Sequence, residues 1–341
     1  MSEGLPLGKL PPALLDRLLR TLPAADAVVG PRLGEDAAVL TPPQGYLVVT
    51  SDPITFTSAQ IGRQVVQVNA NDVAAMGAEP RWLLATVLLP PGTPEGDVEA
   101  LMSGLARACT EAGVALVGGH TEVTDAVTRA VVLGTMLGQV EPGRLVTSAG
   151  ARPGDALLLS KPIAVEGTAI LADLARDVLR HHGVPSTMLE QARALAEDPG
   201  ISVLSEARLL CQETGPHAMH DVTEGGLATA LSELALASGV GLRVERRAIP
   251  VLPSCARVCA ALGLDPLGLI GSGSLIAAVT PDDAVRALAT WRAAGFAGAQ
   301  IGLVTSGTAQ ELYEPDGSAA PLPIFARDEL ARWLEERETE R

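Results

Sequence analysis

One run constrains this chain more than any other: Gln64-Val-Val-Gln-Val-Asn69-Ala-Asn71-Asp72-Val-Ala-Ala-Met-Gly77-Ala78. Apolar residues at Ile61, Val65, Val68, Val73 and Met76 recur at roughly helical spacing, and Gly77 stands where a left-handed cap ends a helix. The spacing predicts a buried helix. Asn69, Asn71 and Asp72 fall in its middle, although such side chains compete for backbone groups and favour caps and turns. A helix that carries them into a core must satisfy them. Asn69 and Asp72 are three apart and share a face, so an amide and a carboxylate converge on one point. Two readings stand: a polar knot closed on itself, or a hydrated metal or phosphate–metal group held there.

The 341 residues allow two domains, each with its own core. Hydrophobic residues make up 47% but aromatic ones only 2%, so those cores are built from Ala, Val and Leu. A net charge of −15 without a Lys/Arg cluster argues against nucleic acid or an anionic membrane as the main partner. A small ligand carried with a cation fits better. There is no run of eighteen apolar residues and no basic-apolar-small leader, which predicts a cytoplasmic protein. Cys109, Cys211, Cys255 and Cys259 are too scattered for a disulfide framework. Cys255 and Cys259, four apart in a predicted helix, share a face as core residues or as part of a metal site.

Residues 1–30 read as a Gly/Pro-containing arm followed by an amphipathic helix over 12–22. Lys9 on that arm either closes over a phosphate or is solvated. Gly34-Glu-Asp36-Ala-Ala-Val-Leu40 and Tyr46-Leu-Val-Val-Thr50 read as a hairpin, with Asp36 and Asp52 at strand ends. Carboxylates there suit magnesium, a hard cation that takes oxygen ligands; each is also an ordinary turn former. Residues 82–89 are a buried strand and 94–112 a helix capped by Gly113. Val114-Ala-Leu-Val117 is the next strand and runs into Gly118-Gly119-His120-Thr121-Glu122. Two glycines after a strand let backbone approach a ligand, as in a phosphate cradle, though neither a Walker A motif nor a G-x-G-x-x-G fingerprint is present. His120 reads as a ligand contact, a base or a turn residue. Residues 126–140 form another strand, and 142–153 is the expected domain boundary.

Beyond it, Asp155–Leu159 is a strand and a helix is expected over 168–181, with Gly167 and Thr168 at an anion-suited N-terminus. Residues 187–214 are helical. His217-Ala-Met-His220-Asp221-Val-Thr223-Glu224-Gly-Gly226 precedes a helix that Thr223 is placed to cap. His217 and His220 lack further ligands at zinc spacing, and Asp221 is the more telling group. Gly271-Ser-Gly-Ser274 leads into the strand 275–279, a helix covers 281–294, and a charged helix closes the chain.

In this order, the Gly34–Val39 run, Ser51-Asp52, Asn69–Ala78, Gly118–Thr121 and His220–Gly226 strongly resemble the AIR synthase (PurM) superfamily. It comprises AIR synthase, the hydrogenase maturation protein HypE, thiamine-monophosphate kinase, selenophosphate synthetase and formylglycinamidine synthase. The resemblance spans nearly the whole chain. It implies a two-domain α/β fold: residues 1–30 as arm and helix, 31–150 as an ATP-binding domain whose strands join a second subunit's in a dimeric β-barrel, and 151–341 as a C-terminal α/β domain. It implies ATP and magnesium as cofactors, with Asp36, Asp72 and Asp221 as metal ligands. Asp52, Asn69, Gly118, Gly119, His120 and Thr121 are the implied ATP contacts, and His120, Glu224 and Lys9 the catalytic candidates. The Lys161–Leu171 run and His220–Gly226 look most like HypE, which activates a carbamoyl sulfur on its own C-terminal cysteine and dehydrates it to a thiocyanate. No Cys follows Cys259 here, and Gly-His-Thr-Glu stands where HypE is expected to carry Asp-Thr-Lys. The expectation is therefore a HypE-like enzyme in a homodimer that phosphorylates an oxygen, amide or thiocarboxamide of a small or protein-borne acceptor. The alternatives are a thiamine-monophosphate-kinase-like phosphotransferase and a non-catalytic ATP-binding maturation partner.

Overall fold

Residues 8–9, 12–22, 44–55 and 60–339 are described by the structure, a computed structural model. They divide into two units: the first lies within residues 1–74 and 78–145, and the second takes in 75–77 and 146–341.

The first unit contains β1 (Gly8–Lys9), α1 (Pro12–Leu19), β2 (Tyr46–Ile54), α2 (Ile61–Ala75), β3 (Glu79–Leu89), α3 (Glu95–Ala112), β4 (Ala115–Val123) and β5 (Val131–Val140). Its five strands lie in the order β1-β4-β3-β5-β2. β3 and β4 are parallel, as a crossover through a helix requires, and the other pairings are antiparallel. Alternation is clean in β5, where Val132, Gly134, Met136, Gly138 and Val140 are buried and the residues between them are not. That inner face meets α2 and α3 through Val65, Val66, Ala70, Val73, Leu101, Leu105 and Cys109. Gly134 and Gly138 form a trough for α2: a Cβ at Gly134 would lie 2.5 Å from Asn69 Nδ2, and one at Gly138 would run into Val73.

The predicted helix at 61–76 is α2, and Gly77 ends it at φ 70°, with the Ala78 amide returning to the Val73 carbonyl. The strand expected over 34–40, and Asp36 with it, lies outside the described residues; the described neighbour of β2 is β5. The strand expected from 126 begins only at Val131.

The second unit contains β6 (Ala156–Ser160), α4 (Val165–Leu174), α5 (Arg176–His181), α6 (Ser186–Ala194), α7 (Leu204–Glu213), β7 (Ala218–Asp221), α8 (Gly226–Ser238) and β8 (Gly241–Glu245). It continues through α9 (Pro253–Leu262), β9 (Leu275–Val279), α10 (Pro281–Ala293), β10 (Gly298–Thr305), β11 (Gln310–Tyr313), β12 (Ala319–Pro321) and α11 (Glu329–Thr339). The sheet order is β12-β11-β8-β10-β6-β9-β7. β6 and β9 are buried at every residue, the pattern of strands covered on both faces. The helix expected over 168–181 starts three residues early and breaks at Ala175. Gly167 and Thr168 are therefore inside the first turn and buried. The Gly167 amide is already bound to the Ile270 carbonyl, which removes the expected anion contact.

Candidate functional site

In the first unit the polar centre of α2 faces β2. The Asn69 side chain, fully buried, accepts the Asp52 amide at 3.0 Å and donates to the Asp52 carbonyl at 3.2 Å and to the Val65 carbonyl at 2.8 Å. Thr50, two residues before Asp52 and so on the same face of β2, donates to Asp72 Oδ2 at 2.6 Å and stands 3.5 Å from Asp52 Oδ2. Asn69 thus closes a knot on the backbone, while Thr50, Asp52 and Asp72 gather hydroxyl and carboxylate oxygens on a half-exposed surface. The knot reading of α2 is met by Asn69; Asp72 turns instead to Thr50.

The sheet register sorts the other candidates. Asp52 stands opposite Gly134, Gly134 opposite Ala85, and Ala85 opposite Gly119, so Gly119 shares the face that carries Asp52. Thr121 follows two positions on, in the row of Ile54, Val132 and Val87. His120 lies in the alternate row with Thr86 and Leu133, on the other face, where its Nε2 is 3.3 Å from Glu122 Oε2. The glycine pair lies within β4 rather than in a loop after it. A register shift skips Val117, and Gly119 takes φ 147° because a Cβ there would run into the Ala85 carbonyl. Close packing of two strands accounts for this glycine without a ligand. Lys9 is placed only by register, opposite Glu122.

In the second unit Asp221 ends β7 and is 7% exposed, while Glu224 is exposed in the turn that follows. Thr223 does not cap α8; its carbonyl accepts the Gly226 and Gly271 amides. His217 is bound to Asp155 at 2.9 Å and His220 to Glu233 at 3.0 Å and Ser148 at 3.0 Å, so both rings are engaged with carboxylates. Among the described residues no three His, Cys, Asp or Glu side chains assemble as a metal-holding group. Cys255 and Cys259 are buried in α9 with free thiols, the core reading of that pair.

Sequence reasoning missed the roles of five residues. Thr50 was detectable, since period-two alternation puts it beside Asp52. Lys161 and Glu206 form an ion pair at 2.6 Å, 3% and 1% exposed, with Lys161 at φ 54°. No local pattern announces it. Glu166 and Asp328 are buried carboxyls that hold backbone amides far away in sequence.

The chain belongs to the AIR synthase related protein family, matching its N-terminal domain over residues 34–140 and its C-terminal domain over 152–314. Within the family it is HypE-like. It is 37% identical to the carbamoyl dehydratase HypE of Cupriavidus necator over 272 residues, 76% of this chain and 73% of that one. Its identity to the HypE of Azotobacter vinelandii is 33% over 320 residues, 87% of each. A crystal structure of hydrogenase maturation protein HypE in complex with ATP superposes at a TM-score of 0.78 and 28% identity, covering 92% of this chain and 93% of the other. A thiamine-monophosphate kinase of Stenotrophomonas maltophilia shares the fold at a TM-score of 0.72 and 24% identity, covering 90% and 97%.

Proposed function

We propose that this chain is a magnesium–ATP-dependent enzyme that activates an oxygen, amide or thiocarboxamide group of its acceptor by phosphorylation. The observation that carries this is the Thr50–Asp52–Asp72 cluster, held by Asn69 between β2 and α2. Its donors are all oxygens, the set a hard cation takes, and they fit magnesium better than any soft metal. Magnesium supplies charge neutralisation for phosphates, whose transfer depends on positioning and electrostatics more than on covalent help. In this reading Asp72 holds the cation, Thr50 orients the Asp72 carboxylate, and Asp52 and Asn69 lie nearest the phosphates. Gly118, Gly119 and Thr121 are proposed nucleotide contacts. Asp36 and Asp221 are proposed further ligands on the family resemblance alone, as are Lys9, His120 and Glu224 as catalytic groups. ATP-bound HypE among the solved relatives supports the nucleotide, and the carbamoyl dehydratase relatives support an amide-type acceptor.

The same reading makes the protein a homodimer. Leu47, Val49, Leu84 and Leu133 are exposed on the sheet face away from α2, an apolar surface suited to a second copy. A monomer by sedimentation at micromolar concentration would contradict this.

The acceptor is tested by phosphate and ADP release with magnesium–ATP and a panel of carbamoyl peptides, thiocarboxamides and thiamine monophosphate. A carbamoyl or thiocarboxamide compound is expected to accelerate release. A steep response to thiamine monophosphate alone would replace this reading with a phosphotransferase. Binding without turnover throughout would leave a nucleotide-binding partner protein.

A further inference from the structure

Glu166 and Asp328 come from opposite ends of the second unit and act alike. Glu166, in the first turn of α4, is 7% exposed, and its Oε2 accepts the Ser272 amide at 3.2 Å. Asp328, just before α11, is 5% exposed; its Oδ2 accepts the Gly225 amide at 2.7 Å and its Oδ1 the Leu330 amide at 2.7 Å. Among the described residues neither carboxyl is paired with a Lys or Arg. Burying a carboxylate without a cation is costly, so each pushes toward its protonated form. Burial raises Asp328 to about 6, with Glu224 and Glu329 adding to the rise. Burial also raises Glu166, and the charge of Asp328 raises it further.

The two anchored turns are those that flank Asp221. Asp221 pairs with Leu275 at the start of β9, so one turn leaves β7 where the other enters β9. The turns are tied to each other by Val222 N to Ser274 O at 2.9 Å and Gly271 N to Thr223 O at 3.1 Å. Gly225 and Gly226 both take left-handed conformations, φ 81° and 65°, and glycine loses the most conformational freedom on ordering. Phe325 packs where a Cβ of Gly268 would sit, and Glu329 accepts the Asp265 amide at 3.1 Å, so the segment that brings Asp328 is itself fixed. Buried acids that take no cation and instead hold the amides of two glycine turns are expensive for a merely structural anchor.

We propose that Glu166 and Asp328 are a pair of positioning residues, which hold the Thr223–Gly226 and Gly271–Ser274 turns so that Asp221 and Glu224 keep the placement turnover requires. This rests on the reading of the chain as an ATP-using enzyme. Neither acid touches nucleotide or acceptor; each acts through a turn.

The test uses the full chain with Glu166→Ala, Asp328→Ala, Glu166→Gln and Asp328→Asn. Amide hydrogen exchange and steady-state magnesium–ATP hydrolysis are both measured. The alanine variants are expected to exchange at least tenfold faster in peptides covering 222–227 and 270–275. Their kcat should fall at least tenfold while KM for ATP stays within threefold. The Gln and Asn variants keep an acceptor carbonyl and should return both readouts to within threefold of wild type. Unchanged exchange in the alanine variants overturns the proposal, as does faster exchange with unchanged kcat. Where an alanine variant does not fold, Glu166→Asp or Asp328→Glu decides, since each keeps a carboxylate but moves it off the amide: faster exchange confined to those peptides supports the proposal, and wild-type rates overturn it. A wild type that hydrolyses no ATP overturns the enzymatic reading and the catalytic half of this proposal; the exchange arm still decides whether the acids hold the turns.

Discussion

The Asn69 carboxamide holds Asp52 by both its amide and its carbonyl, at 3.0 and 3.2 Å, so a residue in the middle of α2 fixes the backbone of β2. Gly134 makes room for that carboxamide, since a Cβ there would lie 2.5 Å from Asn69 Nδ2. Removing the amide strands the part-buried Asp52 N–H. Asn69→Ala is therefore expected to cost roughly 1–3 kcal/mol in urea denaturation, the penalty of leaving one such group unsatisfied. Gly134→Ala should displace the same side chain. The double variant should then cost clearly less than the two single losses together. Additive losses would mean that Gly134 and Asn69 act independently.

Lys161 and Glu206 make a different kind of commitment. The ammonium is buried against Glu206 at 2.6 Å and also donates to the Ser202 carbonyl, while the residue itself sits at φ 54°. Lys161→Met leaves Glu206 as an uncompensated buried charge and is expected to destabilise the fold by roughly 3–5 kcal/mol. Lys161→Met combined with Glu206→Met removes both charges and should recover much of that loss. A single variant that unfolds at the wild-type urea midpoint would show that the pair carries no stability.

Asp328 titrates where it can be followed. Its folded value, about 6, lies above the ordinary 3.8, so the proton is held more tightly in the folded state. The stability this contributes is complete below pH about 4 and is lost as pH rises through about 6. Asp328→Asn removes that dependence. Its stability relative to wild type should therefore climb between pH 4 and 7 and level off above. Urea denaturation at intervals across that range checks it, and a flat difference would count against the raised value.

How far the chain was legible follows from where each signal lies. α2 was readable because apolar spacing and a terminal Gly77 are local, and the misfit of Asn69 and Asp72 in a helix marked the polar contact with β2 that the geometry shows. Gly119 has a packing reason that spacing does not show: a Cβ there would meet the Ala85 carbonyl on a neighbouring strand. His120 is adjacent to Thr121 in sequence yet falls on the opposite face of the sheet, a consequence of strand pleat once β4 runs on through Val123. Glu166 and Asp328 were invisible for a plainer reason. Each acts on an amide about a hundred residues away, and nothing beside it in the chain marks the role.

The central claim is that the cluster around Asp72 binds magnesium–ATP. Calorimetric titration of ATP, with and without magnesium, on wild type, Asp72→Asn and Thr50→Val tests it before any acceptor is known. The account predicts magnesium-dependent binding in wild type, a loss of at least tenfold in Asp72→Asn and a smaller loss in Thr50→Val, with the fold intact in all three. Equal affinity in wild type and Asp72→Asn, or no binding in wild type, would contradict it.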